Sequence, residues 1–263
     1  MHLTFLKGAQ RLDSYCISSQ VGCAFGCSFC STGAQGFTRN LTTEEITDQI
    51  LYFKNLNRHI HSIAFMGMGE PLANTNHVVE AIEVFTDKDT FNISQRHISV
   101  STIGIIPDLK ILLKNFPNIN ISYSLHSAFP KERQKIMRIE KLYPLSKVFE
   151  VLDTHIIKTR RIVFIAYTLL KDVNDTTKHA LKLANLIKSR PKSYLYHVRI
   201  IRFHPNDSLI KYEASSPQTT QDFINILTQK NISFSKQLDL GENLKAACGQ
   251  LTGKLLQHKT NTS

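Results

Sequence analysis

The chain has 263 residues, enough for one α/β domain of barrel size, and its 42% hydrophobic content permits a sizeable core. Lys and Arg number 32 against 21 Asp and Glu, a formal net charge of +11, which favours a polyanionic partner with nucleic acid first among them. No run approaches the roughly eighteen apolar residues of a membrane span, and Met1 to Lys7 shows neither the apolar core nor the cleavage site of a secretory signal.

Short β-branched runs alternate with amphipathic ones along the chain. The first strand is expected at Tyr15–Ser19 and the first long helix at Thr43–Asn57. A strand at Ser62–Met66, a helix at Asn76–Phe85, a strand at His97–Thr102 and a helix at Pro107–Asn115 follow. Asn120–Ser124 (strand), Leu145–Thr159 (helix), Arg161–Tyr167 (strand) and Thr176–Ser189 (helix) continue the pattern. Tyr196–Ile201, Gln218–Lys230 and Ile232–Ser235 complete it as strand, helix, strand. Thr42 or Thr43 ahead of Glu45, and Asp175 ahead of the fifth helix, are the expected N-caps. Strands alternating with helices of this length imply βαβ units and a parallel sheet. The fold class is therefore α/β: a partial (β/α) barrel of about six units in one domain spanning 1–263.

Three of the five cysteines lie within eight residues, as Cys23-Ala-Phe-Gly-Cys27-Ser-Phe-Cys30. A C-x3-C-x2-C loop can offer one thiolate to each of three corners of a [4Fe–4S] cube. Such clusters usually take four cysteines, so the fourth iron would keep a position open to a chelating small molecule. Zinc is the alternative metal, but structural zinc prefers C-x2-C pairs and four protein ligands. The remaining alternative is a set of buried thiols. Clustered cysteines without a pairing framework point to a reducing, cytoplasmic setting.

In a (β/α) barrel, site residues gather where strands end. The cysteine loop follows the first strand and Gly67-Met-Gly69-Glu70-Pro71 the second. Ser101-Thr102 closes the third strand, Ser124-Leu125-His126 the fourth, and His204-Pro205 follows the sixth. All should face one mouth. Gly69 and Glu70 supply backbone and a carboxylate able to hydrogen-bond an ammonium group or a ribose; a plain strand-ending turn is the alternative. His126 reads either as a ligand contact or as a satisfied core histidine.

Taken together, Cys23–Cys30, Met66-Gly-Met-Gly-Glu-Pro71, Ser101-Thr-Ile-Gly104, Ser124-Leu-His126 and Ala246-Ala-Cys248-Gly-Gln-Leu251 resemble the radical SAM adenosine methyltransferases of ribosomal RNA. The match runs from about Tyr15 to Gly253. The cluster motif alone specifies the superfamily; the C-terminal motif and Cys16, seven residues ahead of the cluster loop, specify the branch.

The resemblance implies two cofactors, a [4Fe–4S] cluster on Cys23, Cys27 and Cys30 and S-adenosylmethionine on Gly69, Glu70, Ser101, Ser124, Leu125, His126 and His204. It further implies that Cys248 accepts a methyl group. A 5′-deoxyadenosyl radical then takes hydrogen from that methyl, and the carbon radical adds to an adenine ring carbon. Cys16 resolves the adduct by forming a disulfide with Cys248. The aromatic C2 and C8 of adenine resist polar methyl transfer, which is why a radical is needed.

The implied substrate is one adenosine of the peptidyl-transferase loop of 23S rRNA. The antibiotic-resistance (Cfr) branch methylates its C8; the housekeeping branch methylates C2 and also acts on tRNA. Asp48–Phe53, Ile103–Pro107, Ser127 and Phe164–Tyr167 favour the first, and Pro71 after Glu70 favours the second. A reducing electron donor such as flavodoxin is the other implied partner.

Several positions depart from the family. His204 stands for Asn. Arg138-Ile-Glu140 replaces Pro-Ile-Asn, and Gln237 and Asn243 replace Arg and Asp. The changes at Arg138, Glu140, Gln237 and Asn243 are expected either to alter the RNA-facing surface or to mark a divergent member. The family's N-terminal accessory domain is expected to be mostly missing. So is a glutamate ahead of the first strand that takes the final proton, since Asp13 is the only acid before Cys16. The competing classes are a truncated, non-enzymatic iron–sulfur or RNA-binding relative and a radical SAM enzyme acting on a small molecule.

Overall fold

The computed structural model describes residues 2–7, 10–205 and 211–237. The chain opens with β1 (His2–Lys7) and β2 (Gln10–Ile17), then β3 (Gln20–Gly22), α1 (Ser31–Ala34) and β4 (Phe37–Asn40). Next come α2 (Thr43–Asn55), β5 (Ser62–Phe65), α3 (Thr75–Thr86), β6 (Ile98–Thr102) and α4 (Ile106–Asn115). Then follow β7 (Asn120–Ser124), α5 (Pro130–Ile136), α6 (Leu145–Thr159), β8 (Val163–Leu169) and α7 (Thr177–Lys188). The last elements are β9 (Tyr196–Arg202), α8 (Pro217–Gln229) and β10 (Phe234–Lys236).

One sheet has the order β1-β2-β5-β6-β7-β8-β9-β10, and its seven strands from β2 onward run parallel and curl into a half-barrel. β1 closes the edge antiparallel to β2, with His2 opposite Tyr15 and Lys7 opposite Gln10. Side chains alternate across a strand, so the pleat sorts residues into two layers. Ile63 and Phe65, Ile98 and Val100, Ile121 and Tyr123, Val163 and Ile165 point outward into the core. There they meet Ile46 and Ile50, Val78 and Ile82, Leu109 and Leu112, and Val148, Phe149 and Leu152 of the flanking helices. The residues between them face the open lumen, in register across the sheet: Cys16 with Ala64, Ala64 with Ser99, Ser124 with Ala166, and Ala166 with Arg199.

The seven anticipated strands and six anticipated long helices are all present, with ends moved by one to a few residues. The strand β1, the hairpin β3–β4 and the short helices α1 and α5 are additions. Helix α2 is capped as expected: Thr42 Oγ1 accepts from Glu45 N–H and Glu45 reaches back to Thr42 N–H, a capping box. The Asp175 cap is corrected. Thr176 is the N-cap of α7, because the Asp175 carboxylate already accepts from Asp172 N–H at 3.1 Å and Ser215 Oγ at 2.7 Å.

Candidate active site

The cysteine loop is the connection of the β3–β4 hairpin, so two short strands hold its base. Cys23 N–H donates to Gly36 O at 2.9 Å. Only glycine fits at position 22: its φ is +80°, and a Cβ would lie 1.9 Å from Gly36 O. The far side of the loop is pinned to the mouth. Ser28 N–H donates to Ile136 O at 3.0 Å, Ser28 Oγ lies 2.9 Å from Tyr212 Oη, and the Phe29 ring stands edge-on to His126 at 4.8 Å.

The three sulfurs are half-buried neighbours. Burial pushes the Cys23 thiol up to about 11, with the charge of Cys30 adding to the shift. Cys27 is raised further, by burial and then by Cys30 and Cys23. Thiols that share one desolvated corner stay protonated unless cations reach them. The three thiols lie near enough for charge on one to raise the pKa of another. Three cysteines on one loop are the donor set of a cluster that takes each on a separate iron, whereas structural zinc takes four protein ligands.

The end of β5 is locked beneath this loop. Gly67 N–H donates to Ile17 O, and Glu70 N–H to Gln20 Oε1, each at 2.9 Å. Gly69 has φ +98°, and a Cβ there would stand 2.6 Å from the Gln20 side chain. Glu70 itself is only 4% exposed. Its carboxylate accepts from Thr102 Oγ1 at 2.5 Å, Ile103 N–H at 3.0 Å and Leu72 N–H at 3.1 Å. Burial nevertheless lifts its pKa to about 7. The carboxylate thus ties β5 to the end of β6, and three of its roughly four acceptor positions are filled. Within 67–70 the N–H groups of Gly67, Met68 and Glu70 and the carbonyls of Met68 and Glu70 are also engaged inside the fold, so the Gly69 backbone is what this turn can offer a ligand.

Ser101 and Ser124, at the ends of adjacent strands, bring their Oγ atoms to 3.4 Å. His126 is in the left-handed region (φ +53°) and buried. Its Nδ1 accepts from Thr168 N–H at 3.0 Å, and its carbonyl accepts from Asn174 Nδ2 at 2.6 Å. Burial, then the Arg133 charge, holds its pKa down at about 3, so the ring is neutral with Nε2 as its remaining donor. The core-histidine reading and the ligand reading therefore both survive, one at each ring nitrogen. Leu125 has no exposed surface; its N–H donates to Ala166 O and its carbonyl accepts from Arg133 Nε. His204 lies two residues beyond β9 and is half-buried.

Cys16 faces the lumen from β2, half-buried, one residue before the strand ends. Among the described residues no disulfide is formed; Cys248 lies outside them, as does Asn243.

Sequence reading missed Arg133. Its guanidinium is fully buried and donates to Leu125 O, Ser124 O and Ile103 O at 3.0, 3.1 and 3.4 Å, and to Glu140 Oε2 at 2.6 Å. Glu140 also accepts from Leu145 N–H at 3.1 Å. The expectation that Glu140 alters an RNA-facing surface is corrected: it is 5% exposed and neutralises the arginine that clamps the ends of β6 and β7. Arg138, two residues earlier, is exposed. Arg199 was missed as well. It projects into the lumen with its guanidinium 3.8 Å from the Phe164 ring centre, and no carboxylate pairs with it among the described residues. The period-two run His197-Val-Arg199-Ile-Ile201 carried the signal for its inward direction.

Comparison with known proteins gives three concordant findings. The radical SAM superfamily model matches residues 17–184. The ribosomal RNA large subunit methyltransferase Cfr of Clostridium botulinum (strain Loch Maree / Type A3) is 46% identical over 248 residues, covering 94% of this chain and 71% of the relative. The same-named protein of Staphylococcus aureus is 46% identical over 243 residues, 92% of this chain and 69% of the relative. Among solved structures, a radical SAM methyltransferase from Sphaerobacter thermophilus superposes with a TM-score of 0.86 at 30% identity, covering 95% of this chain and 72% of that one. Streptococcus suis SuiB bound to S-adenosylmethionine, at 12% identity and TM-score 0.63, shares the fold, with 87% of this chain and 52% of that one covered.

Proposed function

Because the chain belongs to the radical SAM superfamily and, within it, to the ribosomal RNA large subunit methyltransferases, we propose that it methylates C8 of an adenosine in the peptidyl-transferase loop of 23S rRNA, protecting ribosomes from antibiotics. The observation that carries this reading is the 46% identity to a Cfr protein along 94% of the chain. Cys23, Cys27 and Cys30 would hold a [4Fe–4S] cluster, which would supply the electron for reductive cleavage of S-adenosylmethionine.

The chain's own residues do the rest. The Gly69 backbone with the remaining acceptor position of the Glu70 carboxylate, the hydroxyls of Ser101 and Ser124, His126 Nε2–H and His204 orient the S-adenosylmethionine. Leu125 serves by holding the strand end. Cys248 carries the transferred methyl on its sulfur. Once that carbon is bonded to the base, and the adduct has given its odd electron back to the one-electron donor and a proton from the ring carbon to solvent, Cys16 thiolate attacks the Cys248 sulfur. An S–S bond forms and the S–C bond breaks, its electron pair passing to the CH2 carbon, which takes a proton from solvent and is released as the methyl of methyladenosine. Cys16 faces the lumen that the substrate must enter, which supports this role. The setting is cytoplasmic, with a low-potential reductant such as flavodoxin; no helix among the described residues is long and apolar enough to cross a membrane.

C2 methylation remains the second reading, favoured by Pro71, which opens a 3-10 turn directly after Glu70. The test is anaerobic reconstitution with iron and sulfide, then incubation with protein-free 23S rRNA and deuteromethyl S-adenosylmethionine. Nucleosides are read by mass spectrometry against standards. 8-Methyladenosine is the expected product; 2-methyladenosine would transfer the protein to the housekeeping activity, and unlabelled RNA would contradict both.

A further inference from the structure

The opposite end of the barrel, where strands begin, is polar and strongly cationic. The six helix-to-strand connections ahead of β5 to β10 contain eight Lys and Arg against two acids, Asp87 and Asp89. Between the first two connections opens a cleft of about 480 Å³, lined by Lys54, Arg58, His59, His61, Phe91 and His97 among others, with no acid in its wall.

The cleft is built rather than incidental. Lys54 Nζ donates to Thr90 O at 2.9 Å and lies 4.7 Å over the Phe91 ring, which braces one wall. His61 and His97 stack at 4.6 Å between ring centres and brace another. Arg58 in its wall and Arg96, next in sequence to the lining residue His97, are exposed, and neither guanidinium has a carboxylate partner among the described residues. Arg96 lies near enough to Arg161 that its charge adds to burial in depressing the Arg161 guanidinium. Like charges held together without acids between them raise the energy of the free protein. A polyanion lowers it again, with release of counterions.

We propose that this floor cleft is a second RNA-binding surface, which takes the phosphodiester backbone of the substrate RNA at a distance from the reacting adenosine. It rests on the reading that the substrate is RNA. Arginine forks and imidazole N–H groups suit phosphate oxygens, and contacts to phosphate give affinity without choice of sequence. The mouth then selects the nucleotide and the floor supplies grip.

The test titrates the full, reconstituted chain with protein-free 23S rRNA from about 50 to 200 mM salt. Wild type is compared with Arg58→Gln/Arg96→Gln and with Lys110→Gln/Lys147→Gln, a control pair on outward helix faces. Losing two phosphate contacts should weaken binding about tenfold in mid-range. It should also flatten the slope of log affinity against log salt by about 1.4 to 1.8, while the control pair barely changes it. Floor variants that behave like the control overturn the proposal and leave the proposed activity standing. Failure of wild type to bind RNA would overturn both. Binding that depends on the floor without any methylated product would fault the proposed activity alone.

Discussion

Where β5, β6 and β7 run out, polar side chains are buried and matched; where the same strands begin, cations are exposed and unmatched. The six strand-to-helix connections after β2 and β5 to β9 contain eight Lys and Arg and seven acids, against eight and two at the opposite end. At the mouth the buried charge is matched, Arg133 by Glu140 and by three backbone carbonyls, which fixes the geometry there, while Lys131, Lys135, Arg138, Lys141 and Lys211 lie exposed around it. At the floor Arg58, Lys88, Arg96 and Arg160 face solvent, whereas Arg190 pairs with Asp153 and Arg161 donates to Asn120. Fixed donors and acceptors suit a small ligand held for chemistry. A diffuse surplus of charge suits a long polyanion held for affinity.

Substitutions should break this contrast in graded steps. The largest effect belongs to the cysteine loop: Cys27→Ser should abolish both 5′-deoxyadenosine formation and RNA methylation, measured by chromatography of the reaction mixture. RNA affinity should stay near wild type.

Next comes the buried pair. Glu140→Ala strands a fully buried guanidinium and should cost about 3–5 kcal/mol, lowering Tm by roughly 10 °C in calorimetry. Arg58→Gln at the floor should leave Tm within about 1–2 °C, since it removes an exposed, unmatched side chain.

A smaller effect should appear with acid. His126 is held at about 3 in the fold, against 6.5 in the unfolded chain. The unfolded state therefore binds the extra proton first. The stability this neutral histidine contributes is complete above pH 6.5 and is lost as pH falls from there toward 3, by up to about 1.4 kcal/mol per pH unit. Denaturant midpoints measured from pH 7.5 to 5 should fall less steeply in His126→Asn than in wild type. A parallel decline in both would remove His126 as the cause.

The smallest effect sharpens the contrast from the other side: Arg58→Gln/Arg96→Gln should leave the KM for S-adenosylmethionine unchanged in 5′-deoxyadenosine assays without RNA.

The seven parallel strands were legible because β-branched runs such as Ile98-Ser-Val-Ser-Thr102 combine strand propensity with alternation. The hairpin strand Phe37-Thr-Arg-Asn40 is exposed at every residue, so no pattern announced it. Helix α5, Pro-Lys-Glu-Arg-Gln-Lys-Ile, reads as a solvated charged run, yet Arg133 in it is fully buried. Composition cannot reveal that three carbonyls at the ends of two adjacent strands converge on one guanidinium. The cysteine loop and strand-end motifs were legible because the chemistry demands those residue types at fixed spacing. The partnering of Glu70 with Thr102 and Ile103 was not, since it depends on how two adjacent strands end.

The most direct measurement is electron paramagnetic resonance of the anaerobically reconstituted, dithionite-reduced chain, before and after adding S-adenosylmethionine. A [4Fe–4S]⁺ signal that changes shape on addition, and disappears in Cys27→Ser, is the result expected if three cysteines leave one iron open to the substrate. A signal indifferent to S-adenosylmethionine, or a preparation that binds zinc and no iron, would contradict the assignment of the mouth.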